Sequence, residues 1–168
     1  MSLFALLLPL STLAYRGAEV TTLDAHPRTN VYGKELQKCS GSGMAITGFT
    51  RRGLCEDSGD DDAGSHHICL DLKTEDTKNF CEVTGQPNWC DEQSACDADG
   101  AARCPIQNWC VCQWAFSSYL EKAGGCDKIQ KVVCEATNEA ALRAYRRDAR
   151  KDTKIAAALR CLETRCSL

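Results

Sequence analysis

The sequence predicts a small α+β domain, with an antiparallel or mixed sheet and two main helices, fastened by disulfides. Three observations carry that expectation. Thirteen of 168 residues are cysteine, all between Cys39 and Cys166, close to the density that marks disulfide scaffolds. Short runs of strand periodicity come before two helical ones. Aromatics make up only 7% of the chain, so rigidity must come in part from cross-links. A chain of this length suits one domain. Its net charge of −3 gives no global attraction to nucleic acid.

The uncharged run Leu3–Ala14, with Thr12 and Ala14 at the −3 and −1 positions of a cleavage site, reads as a signal peptide over residues 1–14. A buried segment or a membrane anchor are the other readings of such a run, although it is shorter than the roughly 20 residues a spanning helix needs. It contains no cysteine, so cleavage leaves a mature chain with all thirteen and no transmembrane span. Secretion or an organelle lumen follows, since disulfides persist in oxidising compartments.

Residues 15–29 form an irregular lead-in. The segment 44–55, MAITGFTRRGLC, reads as a short strand, a turn at Arg52-Gly53 and an anchoring cysteine. The loop after Cys55 carries Glu56, Asp57, Asp60, Asp61 and Asp62 and reads as solvated; it lacks the spaced carboxylates of a calcium loop. HICLDL, residues 67–72, alternates Ile68, Leu70 and Leu72 against His67, Cys69 and Asp71, which predicts a half-buried strand with His67 at the surface. From 82 to 108 nothing is periodic, and a loop this long must be tied down; Cys81, Cys90, Cys96 and Cys104 are placed to do so. Trp109, Cys112, Phe116, Tyr119 and Ala123 make one apolar helical face, stopped by Gly124-Gly125. KIQKVVCE reads as a strand, and residues 138–161 as one further helix.

That last helix groups Arg143, Arg146, Arg147, Arg150, Lys151 and Lys154 on one side. The stripe is either a solvated face or a docking surface for an anionic partner, which includes a protein, a membrane or the chain's own acidic loop.

Several motifs occur in register: NVYGKELQKC (30–39), GFTRRGLC (48–55), DAGSHHIC (62–69), WCVC (109–112) and VVCEAT (132–137). Together they resemble the family called domain of unknown function 2237, over residues 30–145. A basic, cysteine-bearing tail, 146–168, follows. The resemblance implies a small α+β domain and no established activity. It places Cys39, Cys55, Cys69, Cys110 and Cys112 at positions where the family has cysteine. Eight remain, Cys81, Cys90, Cys96, Cys104, Cys126, Cys134, Cys161 and Cys166, enough for four added disulfides. An odd total leaves one of the thirteen without an intrachain partner. Two departures stand out: Asn138 where many members have histidine, and TGQPNWC where many have a Gly-Asn-Asp-Leu segment.

Two functions compete. The first is a binding or accessory domain, or a structural subunit of a larger assembly, that uses the basic stripe and the acidic loop, with no cofactor. The second is a thiol or metal enzyme built on Cys110, Cys112, His66 and Cys69, with zinc or iron held among Cys55, His66, Cys69, Cys110 and Cys112. Zinc sites favour close ligand pairs, and only His66-x-x-Cys69 and Cys110-x-Cys112 qualify. Cys110 is expected at the helix N-terminus, where a thiolate is favoured, and pairs with His66 in a nucleophilic reading. The redox signature, however, is C-x-x-C, and this is C-x-C. The tryptophans Trp89, Trp109 and Trp114 read as packing around disulfides.

Overall fold

The computed structural model describes residues 28–168; the signal-peptide expectation, and all but the end of the lead-in, lie outside them. Strand β1 (Ile68–Asp71) forms where the alternation predicts it. It is the centre of a three-stranded antiparallel sheet, flanked by β4 (Asn108–Val111) and β5 (Lys131–Val132). Both faces of β1 are covered: Ile68 and Leu70 sit in the main core, and Cys69 in a second, smaller cluster with Cys39, Cys55, Cys110 and Ala136. For that reason His67 is buried rather than at the surface.

Helix α2 (Gln113–Ala123) buries Phe116, Tyr119, Leu120 and Ala123. Gly124 ends it in the left-handed conformation, its N–H reaching back to the Leu120 and Glu121 carbonyls. The Tyr119 hydroxyl donates to the Lys78 carbonyl and accepts from the Gln130 N–H. Gln130, fully buried, accepts from the Phe80 N–H and donates to the Leu72 carbonyl. These bonds tie the short helix α1 (Phe80–Thr84) and the approach to β5 onto α2.

The long segment 82–108 is tied down. It carries a small hairpin, β2 (Gln93–Ala95) with β3 (Arg103–Pro105), and the disulfides Cys81–Cys90 and Cys96–Cys104.

Two sequence expectations need correction. Residues 44–55 are not a strand. Gly48 and Gly53 take positive φ, and a Cβ at Gly48 would lie 2.2 Å from the Leu54 carbonyl oxygen. The chain therefore turns, and Ala45 and Ile46 only borrow single bonds from the Pro105 and Ala95 carbonyls beside the hairpin. The single helix expected over 138–161 is two: α3 (Glu139–Asp148) and α4 (Thr153–Arg165). The break is set by Asp152, whose carboxylate caps the Lys154 and Ile155 N–H groups and restarts the helix.

Helix α4 packs on α2 and α3 and is bolted by Cys126–Cys161 and Cys134–Cys166. Among the described residues no helix is long and apolar enough to cross a membrane.

Candidate functional site

Four of the five cysteines that the resemblance sets apart, Cys39, Cys55, Cys69 and Cys110, share one buried cluster at the β1–β4 ladder. Cys69 and Cys110 are cross-strand partners. Cys69 bonds to Cys39 and Cys110 to Cys55. The other eight pair among themselves, in the four disulfides given above. Cys112 is the one free cysteine.

Several sequence readings change as a result. Cys110 is a buried strand residue in a disulfide, not a thiol at a helix start. Cys112 occupies the N-cap of α2 instead, because strand pairing with Cys69 extends β4 through Val111. Of the expected zinc or iron ligands, Cys55, Cys69 and Cys110 are spent in disulfides, which leaves only His66 and Cys112. The sulfurs of Cys39, Cys55 and Cys69 do lie within 4.8 Å of one another, but a metal takes thiolates, and these three are oxidised.

The acidic loop is less solvated than its composition suggests. Asp62 is buried, its side chain 1% exposed, and grips His66 twice. One oxygen accepts the His66 backbone N–H at 2.7 Å, and the other lies 2.7 Å from Nδ1. A carboxylate only accepts, so Nδ1 carries the proton and Nε2 is left as the ring's basic nitrogen. The imidazole lies over Gly64, where a Cβ would fall 2.4 Å from Cε1. The Asp-x-x-x-His spacing within DAGSHH is the sequence signal for this grip.

His66 opens on two small cavities. One, about 80 Å³, is lined by His66, Trp89, Trp109, Cys112 and Ala115 among others. The second, about 260 Å³, is lined by Gly48, Phe49, Arg51, His66, Trp109 and Cys110. Both share His66, Trp109 and Cys110, so they adjoin as a groove along Trp109. Trp109 is its floor, held against Trp89 at a centroid distance of 5.6 Å, with the Arg51 guanidinium 5.0 Å over the Trp109 ring. Trp114 instead packs against Tyr145.

Behind the groove lies a buried polar network. His67 Nδ1 bonds Gln113 Oε1 at 2.9 Å, and its Nε2 is 3.7 Å from Asp57. Burial pulls His67 below the usual imidazole range, against the raising effects of Gln113, Asp57 and Asp62. Burial likewise holds the Tyr145 phenol well above its ordinary range, helped by the Cys112 sulfur. The Tyr145 hydroxyl donates to the Gln113 carbonyl. Asn138 caps α3 by accepting the Ala140 N–H.

The basic stripe is split by the helix break and much of it is engaged. Arg143 reaches Glu139 and, across to the acidic loop, Asp57. Arg146 pairs with Glu163, Arg147 with Asp148 and Lys154 with Glu121. Arg150 and Lys151 are exposed at the corner between the helices.

Fold and site thus define a disulfide-rich α+β domain in which one free thiol and a carboxylate-held histidine line the same small cavity. Residues 29–153 match the family described as an uncharacterized protein conserved in bacteria, domain of unknown function 2237. The match spans most of the chain, and the chain belongs to that family. A search of curated proteins finds none that matches.

Proposed function

We propose that the protein is an exported, disulfide-fastened domain that binds a ligand in the Trp109 groove and offers it Cys112 as a nucleophile. His66 is the base and Asp62 the group that orients it. One observation carries this reading: the single cysteine outside the six disulfides lines the same cavity as a histidine whose other ring nitrogen is fixed by a buried carboxylate. That is the nucleophile, base and orienting group that covalent catalysis uses. In the step, Cys112 Sγ bonds to an electrophilic carbon of the ligand, its proton passes to His66 Nε2, and the leaving group departs with the bonding electrons. Export is supported by the six disulfides, since a reducing cytosol does not keep them. The paired state of Arg143, Arg146, Arg147 and Lys154 argues against the basic stripe as the working surface.

The test is alkylation of the native protein by iodoacetamide, followed by mass spectrometry and peptide mapping. One adduct is expected, at Cys112, and His66→Ala is expected to slow its formation by about tenfold or more. A Cys112 that reacts no faster than free cysteine, or equally fast without His66, ends the proposal.

A further inference from the structure

A larger bay, about 980 Å³, adjoins the groove at Arg51. Its charged lining is all of one sign: Arg28, Lys38, Arg51 and Arg52, with no carboxylate. Glu56, buried beneath, is shared by Arg28 at 3.8 Å and Arg52 at 2.7 Å. Lys38 and Arg51 have no ion-pair partner among the described residues. Arg28 and Arg52 also line the adjoining cavity that holds Glu56, Asp57 and Asp61, so Lys38 and Arg51 are the cations that this bay holds to itself. Met44, Ile46 and Leu54 make part of the wall apolar, and another part is small and polar. Ser40-Gly41-Ser42-Gly43 turns along it, and small residues there let backbone and hydroxyl groups approach a ligand closely.

Arg51 is the hinge between the two spaces, since it lines both the bay and the groove. Its backbone has φ of 55°, a conformation that side-chain-bearing residues rarely adopt. The Arg51 N–H is held by the Gly48 carbonyl at 3.1 Å. The turn therefore fixes where the guanidinium stands, and a planar fork of donors is the group that binds phosphate or sulfate in bidentate fashion.

We infer that the bay is a binding site for a small polyanion with two or more phosphate or sulfate groups, Lys38 and Arg51 being its main contacts. The volume of about 980 Å³ exceeds what a single orthophosphate fills. This site supplies a ligand class for the proposed thiol centre and rests on that reading only for the idea that one molecule spans both. Anion binding itself needs neither Cys112 nor His66.

Isothermal titration calorimetry with inorganic tripolyphosphate and, in a second arm, a trisulfated heparin disaccharide tests it. The expected result is saturable binding that weakens with added salt. Lys38→Gln with Arg51→Gln should weaken it by about thirtyfold or more, while Arg147→Gln, remote from the bay, leaves it unchanged. The tighter of the two probes names the chemistry. Absence of saturation up to about 10 mM, or equal affinity in the double variant and in Arg147→Gln, overturns the inference. Selective alkylation of Cys112 would then still stand, so the two proposals fail separately. Because removing Arg51 also relieves a positive-φ residue, circular dichroism and melting of the double variant check that its fold is retained.

Discussion

Cys69 and Cys110 face each other across β1 and β4, yet neither bonds the other. Cys69 closes on Cys39, 30 residues back, and Cys110 on Cys55, 55 residues back. The backbone N–H groups of both point away from the pair, to the Thr137 and Thr47 hydroxyls. This is the non-hydrogen-bonded arrangement, in which side chains lie closest. The sheet thus clamps two distant loop segments side by side and holds in place the 48–66 stretch that carries Arg51 and His66.

The clamp makes a comparison possible. Closing 55 residues removes about 4 kcal/mol of unfolded-state entropy, against about 3 kcal/mol for the 9 residues of Cys81–Cys90. Both bonds are fully buried, so cavity costs are matched. Replacing Cys55 and Cys110 by Ala should therefore lower the denaturation midpoint further than replacing Cys81 and Cys90. Equal losses in guanidinium titrations would mean that loop closure is not what the clamp contributes.

His67 sets a pH dependence. Its folded-state pKa lies below the unfolded value of 6.5, chiefly through burial. Between those two values the unfolded chain binds more protons, so stability rises with pH there. The contribution is complete above about 6.5 and is lost as pH falls through the folded pKa. Acidification from pH 7 to pH 5 should destabilise the protein, and His67→Gln should flatten that part of the curve. Asp57, Asp62 and Arg143 face the same imidazole, so it is the slope, not the absolute stability of the variant, that must be compared. An unchanged slope would locate the effect in other groups.

Much of this could be read from the sequence because local pattern and burial agree. The alternation of Ile68, Leu70 and Leu72 gave β1, and the double glycine gave the end of α2. The misreadings share a cause: tertiary partners overrode local pattern. Trp109 fitted the apolar face of α2, but pairing opposite Leu70 holds it on a strand. This shifts the helix start to Cys112 and exchanges the roles of the two cysteines. Alanine-rich composition ran α3 into α4, although Asp152-Thr153 carries a capping signature at the break. Asp62 looked solvated in a run of acids; only the fold reveals that it turns inward to hold His66. The cysteine grouping came from family positions, since spacing alone fixes no connectivity.

Asp148 and the stripe arginines give a third prediction. Arg147 and Asp148 are exposed and adjacent, each shifting the other toward its charged form. Exposed pairs contribute little to stability, because solvent and salt screen them. Arg146→Ala and Arg147→Ala should each leave the melting temperature within about 3 °C of the parent. A larger fall would reveal that the helical corner is more tightly coupled to the core than its exposure indicates.

The orientation of His66 gives the last. If Asp62 serves only to hold the loop, Asp62→Asn can keep the bond from the His66 backbone, because an amide oxygen still accepts an N–H. What the change removes is the negative charge that stabilises an imidazolium as it forms. Asp62→Asn should therefore slow Cys112 alkylation by about tenfold while the melting temperature falls little. Gly64→Ala acts on the same imidazole from the other side: the new methyl, 2.4 Å from Cε1, forces the ring off its seat without touching its charge partner. Both variants should slow the thiol, and both should shift the His66 ring resonances. Full reactivity in both would detach His66 from Cys112 and leave the thiol a bystander in a stapled fold.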